Sequence, residues 1–137
     1  TAEEIKIEVG AACVEENQEY EFRGRDVMSS LPKNQIITTA ETVAAFKENV
    51  YNIIDGVRNV LEQTPPELSS DIIDRGIVLT GGGSLLSGFD TLLSEETGIP
   101  VFLADDPLCC VARGTGHALE ELDNLEDVLL TGEDIRV

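Results

Sequence analysis

Positive charge is what this 137-residue sequence has least of: nine Lys and Arg stand against twenty-seven Asp and Glu, a formal net charge of −18. Such a surface repels phosphate backbones and anionic lipid heads, which argues against direct nucleic-acid or membrane binding by this chain. Cysteine is scarce as well. Cys13, Cys109 and Cys110 are odd in number and the last two are adjacent, which suits neither a disulfide framework nor the CxxC spacing of a zinc site. A reducing, cytoplasmic compartment is expected, with Cys109 and Cys110 as small buried thiols in an apolar helical stretch. His117, the only histidine, has no Ser or Cys arrangement nearby to make a triad, so it is expected on a helix surface. No catalytic or metal-ligating constellation emerges. No apolar run approaches the ~20 residues that span a bilayer, nothing at the N-terminus resembles a signal peptide, and no internal repeat is visible. Thr1 stands where a Met would open a reading frame, so a soluble piece of something longer is expected.

What is present is organised around residues 77–86, Ile-Val-Leu-Thr-Gly-Gly-Gly-Ser-Leu-Leu. Ile77, Val78 and Leu79 run without polar alternation, as in a strand of a parallel sheet covered on both faces. Three glycines follow, removing every Cβ where the chain must turn and letting a ligand or a neighbouring backbone approach. Leu85, Leu86, Phe89, Leu92 and Leu93 then recur at three and four, predicting one apolar helix face. The turn's free N–H groups should face the carboxyl edge of the sheet, where open α/β sheets bind ligands. Equally, the glycines could serve only to make a tight strand-to-helix turn.

Before this stretch, residues 1–9 are ambiguous: Ile5, Ile7 and Val9 alternate as in a strand, while Ile5 and Val9 also stand one helical turn apart. Residues 11–19 read as a loop. Tyr20 and Phe22, then Gln35 to Thr38, read as a hairpin. Thr38 and Glu41 form a capping box for a helix of about twenty residues carrying Val43, Phe46, Val50, Ile53, Val57 and Val60, widened by Ile54 and Leu61 and stopped by Pro65. Thr64 is expected to cap a short second helix, with Pro65 at its first position and Glu67 in the box position. After the glycine turn, Gly98 and Pro100 end a helix, Val101 to Ala104 form a second strand, and Asp106-Pro107 start a helix with Leu108, Val111, Ala112, Leu119 and Leu122. Strand, helix, strand in this order predicts a right-handed βαβ unit with neighbouring parallel strands. Residues 124–137 read as an acidic, loosely packed tail.

Residues 71–86, with Thr64-Pro65-Pro66-Glu67-Leu68 before them and Glu95-Glu96-Thr97-Gly98 and Asp106-Pro107-Leu108 after them, closely resemble the MreB family of bacterial actins. The likeness runs over nearly the whole chain and is weakest at residues 11–21 and after Leu122. It implies an α/β architecture that is part of the actin-like, ribonuclease H-like ATPase fold: second-half subdomains with a short parallel sheet, helices and a hairpin. Positions 1–41 match the smaller outer subdomain (IIB-like) and 42–137 the larger inner one (IIA-like). Residues 1–10 match a segment that is helical in the family, which decides the ambiguity there in favour of helix. The resemblance implies ATP as ligand, with Mg²⁺ in the full-length protein. It places Gly81, Gly82, Gly83 and Ser84 in the adenosine-contacting turn, and Glu3, Glu4 and Lys6 at the ribose and adenine contacts. Glu4 stands where many relatives have Arg.

The resemblance further implies self-association into filaments, contact with the membrane-bound cell-wall synthesis and shape proteins, and a cytoplasmic, membrane-associated location for the full-length protein. Membrane-inserting elements belong to the other half in that family, so none is expected here. The family's two phosphate loops and the acidic residues that hold Mg²⁺ and orient water also lie earlier in the sequence, and phosphoryl transfer depends on such parts. Glycines 81–83 lack the following Lys-Ser/Thr of a P-loop and do not match G-x-G-x-x-G. This piece by itself is therefore expected to be inactive as an ATPase. The competing reading is a non-catalytic α/β interaction module that uses the glycine turn only for packing. A D-x-G-type phosphate loop upstream in the reading frame would discriminate the two.

Overall fold

The structure, a computed structural model, describes residues 2–125. The chain opens with a helix, α1 (Ala2–Val9), followed by a hairpin of β1 (Glu19–Arg25) and β2 (Pro32–Thr38). A long helix α2 (Thr39–Gln63) and a shorter α3 (Pro66–Arg75) come next. Strand β3 (Ile77–Leu79), a 3₁₀ turn (Gly82–Leu85), α4 (Phe89–Thr97) and β4 (Val101–Leu103) follow, and α5 (Cys110–Glu120) and the single turn α6 (Leu122–Leu125) end the described part. β1 and β2 pair antiparallel, and β3 and β4 pair parallel as a separate sheet. The acidic tail expected from Asn124 onward lies outside the described residues beyond residue 125.

Helix prevails over strand in α1 because its apolar residues are used at a spacing of four. Val9 is buried and Ile5 half-buried, while Ile7 between them is exposed. Gly10 closes the helix by donating its N–H to Lys6 O at 3.0 Å, at a point where a Cβ would run into that carbonyl. The next residues are stitched to the glycine region. Ala11 bridges Ser87 in parallel, and Ala12 N–H donates to Ser87 O at 2.8 Å.

The capping box that opens α2 is complete. Glu41 N–H donates to Thr38 Oγ1 at 3.3 Å, and Glu41 Oε2 accepts from Thr38 N–H at 2.9 Å. Val50 and Ile54 are buried against Phe89 and Leu93 of α4, with Ala12 completing the core. The apolar stripe is narrower than its spacing predicts, because Val50, Ile54, Val57 and Leu61 form the packed line while Ile53 and Val60 fall beside it and stay exposed. Arg58 ties α2 to the end of α4 through the carbonyl and carboxylate of Glu96, and the Tyr51 hydroxyl reaches the same carboxylate.

Three helix starts differ from expectation. Thr64 does not cap α3: its hydroxyl donates to Val60 O at 2.7 Å and finishes α2, so α3 begins with Pro65 at its cap and no side-chain cap bond. The helix expected to carry Leu85 and Leu86 starts only at Phe89, because the chain first makes a 3₁₀ turn and then needs Gly88 in the left-handed region (φ 70°) to change direction. Leu85 and Leu86 consequently belong to the turn. Nor does Asp106-Pro107 start α5. Asp106 O accepts from Cys109 N–H at 3.1 Å in a preceding turn, which delays the helix to Cys110 and leaves Cys109 exposed instead of buried.

Gly98, at φ 71°, stops α4 as expected, and β4 returns alongside β3 with Ile77 N–H on Pro100 O and Ala104 N–H on Leu79 O. Leu79 and Val101 face the core, whereas Val78 and Phe102 on the other face are exposed. Among the described residues the sheet is therefore covered on one face, not on both.

Candidate functional site

The glycine turn owes its form to one glycine more than to the others. Gly81 sits at φ 80°, a conformation L side chains resist, and its N–H donates to Pro107 O at 2.7 Å. Its carbonyl accepts from Ser84 N–H at 3.3 Å and from Ser84 Oγ at 2.6 Å, so the buried Ser84 hydroxyl is consumed inside the turn. Gly82 and Gly83 differ. Both are exposed and neither has positive φ. A Cβ on Gly83 would meet nothing within 4 Å, and one on Gly82 would meet only Leu108 Cδ2 at 3.4 Å. The chain's own packing does not require glycine at these two positions.

Across from the turn lies α1. Glu3 and Lys6, three apart and therefore on one face, form an ion pair at 2.7 Å with both side chains at least half exposed. Pairs this exposed contribute about 0–1 kcal/mol, so fold stability does not account for them. Between α1 and the turn is a cleft of about 560 Å³, within the range of small-molecule sites. Glu3, Lys6 and Ile7 line it from α1, Gly82, Gly83, Leu85 and Leu86 from the turn, and Leu108 from the loop after β4. The floor is α2, with Phe46, Asn49, Val50 and Ile53.

Of the seven positions singled out in the sequence, the fold thus brings Glu3, Lys6, Gly82 and Gly83 to one cleft. Gly81 and Ser84 stand behind it as the turn's frame, and Glu4 is on α1 but not among the lining residues. The α2 floor was missed. Phe46 and Ile53 were legible only as members of a core stripe, and nothing in the local pattern marked Asn49. The lining is apolar below and polar at the rim, which suits a flat aromatic ring carrying a hydroxylated sugar. It does not suit a polyphosphate: Lys6 is the single cation, and Glu3 already offsets it.

The thiols lie elsewhere. Burial, followed by the nearby Glu15, raises the pKa of Cys13, whose Sγ–H points at Gly88 O at 3.6 Å. A hydrogen bond to Asp106, and then the charge of that carboxylate, raise that of Cys109. Both act against thiolate formation. His117 is exposed on α5 beside Glu120, at 3.5 Å. Among the described residues no His, Cys, Asp and Glu group could hold a metal ion, and no helix is long and apolar enough to cross a membrane.

Comparison with known proteins gives a consistent result. The family model described as MreB/Mbl protein matches residues 1–127. The cell shape-determining protein Mbl of Bacillus cereus is 50% identical over 126 residues, which is 91% of this chain and 38% of that protein. The cell shape-determining protein MreB of Escherichia coli is 52% identical over 124 residues, 90% of this chain and 36% of that protein. Among solved structures, MreB5 of Spiroplasma citri bound to ADP superposes with a TM-score of 0.84 at 32% identity, covering 94% of this chain and 40% of that one. The same protein bound to AMPPNP gives 0.83 at 34%. The chain therefore spans well under half the length of the relatives it matches.

Proposed function

Because this chain belongs to the MreB/Mbl family and has part of its actin-like fold, we propose that it is the adenosine-binding portion of a filament-forming, ATP-binding protein that organises cell shape and cell-wall synthesis. The cleft between α1 and the glycine turn holds the base and ribose, with Gly82 and Gly83 letting the ligand approach the backbone and Glu3 and Lys6 meeting the sugar and ring edge. Gly81 and Ser84 shape that turn through the hydrogen bonds that close it. Residues 1–41 act as the outer subdomain and 42–137 as the inner one, in keeping with two separate sheets. The triphosphate, its Mg²⁺ and the hydrolytic chemistry depend on parts of the protein outside these residues. So do its membrane association and its contacts with membrane-bound shape proteins.

One observation carries this reading: Gly82 and Gly83 are bare where the fold has no need of bareness, and they face a cleft of ligand size. The alternative, a turn built for packing alone, explains Gly81 but not its two neighbours. Calorimetric titration of the chain with adenosine, ADP and ATP tests the proposal. All three should bind weakly and alike, since the cleft meets only their common part. Gly82→Val places branched carbons against Leu108 and into the cleft, and should lower affinity with little change in melting temperature. Unchanged affinity in a folded Gly82→Val chain would return the turn to the packing role.

A further inference from the structure

Among the described residues three polar side chains line the cleft between α1 and the glycine turn, and two of them answer each other. Glu3 and Lys6 form their ion pair at its rim. The third is Asn49 on the α2 floor, and among the described residues its carboxamide has no hydrogen-bond partner. Its surroundings in the cleft are apolar. Phe46, Asn49 and Ile53 follow one another at three and four on α2 and so share one face, with Val50 beside them and Leu108 reaching in from the loop after β4.

Neither the helix nor the core accounts for an amide at this point. Asn49 is exposed and lies well inside α2, where Asn is a poorer helix former than Ala, Leu or Glu. Among the described residues no cap, turn or ion pair uses it. An amide between two apolar side chains is placed to hold the edge of a flat heterocycle whose face rests on them. A carboxamide offers a donor and an acceptor side by side. Adenine offers the same pair in reverse, an exocyclic amine beside a ring nitrogen.

We propose that Asn49 is the base-reading residue of this cleft: its carbonyl accepts from the exocyclic amine of adenine, and its NH₂ donates to the adjacent ring nitrogen. The inference rests on the adenosine reading above and adds the group that distinguishes an aminopurine from other flat rings. A neutral amide suits this task better than an ion, because a neutral base cannot compensate a charge for the water it would lose. The Glu3 and Lys6 pair is left to the sugar and the rest of the ring edge.

The test removes each half of the contact in turn, with affinities read from amide chemical shifts of the isotope-labelled chain during titration. Purine riboside, which is adenosine without the amine, should bind the unaltered chain roughly tenfold more weakly than adenosine. N49L is similar in size and lacks both hydrogen-bonding groups, so adenosine and purine riboside should bind it alike. In N49D the carboxylate can only accept. It loses the bond to the ring nitrogen of adenine and matches two adjacent donors of guanine, N1–H and N2–H, so the ratio of guanosine to adenosine affinity should rise by roughly tenfold. Melting temperature shows that each variant is folded, which an exposed position allows. A preference for the amine that survives in folded N49L, or a guanosine-to-adenosine ratio unmoved in folded N49D, would overturn the proposal. No adenosine binding by the unaltered chain would overturn the adenosine reading and this proposal with it, whereas adenosine binding indifferent to both substitutions would overturn this proposal alone.

Discussion

At the scale of single residues, the three glycines separate by the work each does. Gly81→Ala forces a side chain into φ 80° and should destabilise the chain by about 1–2 kcal/mol. Gly83→Ala enters open space and should stay within about 0.5 kcal/mol, visible as a nearly unchanged denaturation midpoint. Sequence alone could not divide the triplet in this way, because the distinction lies in φ and in neighbours from distant segments. Glu3 and Lys6 were legible because helical spacing puts them on one face. Glu4, one residue around the same helix, was drawn along by resemblance and not by geometry. Asp26 offers a test by pH. Hydrogen bonds from the Ser29 backbone and hydroxyl, and then from Met28 N–H, hold its carboxyl below the ordinary value of 3.8. A lowered folded-state pKa means that its contribution to the turn is complete above the ordinary carboxylate range and is lost as pH falls through the folded value. The Met28 and Ser29 amide resonances should move towards their unfolded positions over that interval, and Asp26→Asn should abolish the dependence.

Secondary-structure elements were most legible where two local signals agreed. The box of Thr38 and Glu41 with an apolar period behind it fixed α2, and Gly98 followed by Pro100 fixed the end of α4. Thr38→Ala removes the cap acceptor and should lower stability by about 1 kcal/mol in chemical denaturation. Leu93→Ala, at 1% exposure in the middle of the α2–α4 packing, should lower it by about 2–5 kcal/mol. Elements misread were those whose ends are set by contacts beyond the local pattern. Thr64 had two helices within reach and its hydroxyl bonded the one behind it. Asp106 turned its carbonyl to Cys109 and the thiol of Cys110, at 3.1 Å, before a helix could start. The exposed face of β3 and β4 was unreadable for a different reason. An unbroken apolar run records that a strand is to be covered on both sides, not whether the cover lies within the same stretch of chain.

Taken whole, the described molecule is a set of locally closed pieces. β1 and β2 are joined by a short turn, β3 and β4 by one helix, and α2 leads directly into α3. Thr42 Oγ1 on Val9 O at 2.7 Å, Cys13 Sγ on Gly88 O at 3.6 Å, the core contact of Ala12 and the bridge of Ala11 to Ser87 tie the beginning of the chain to its remainder. This bridge has a consequence in time. A pairing between residues so far apart must await the loop-closure entropy of everything between them, whereas the hairpin and α2 need no such wait. The pieces should therefore form early and the bridge last, after the main refolding barrier has been crossed. Ala12→Pro, which deletes the donor to Ser87, should accelerate unfolding while leaving the refolding rate nearly unchanged, since the contact it removes is absent from the barrier.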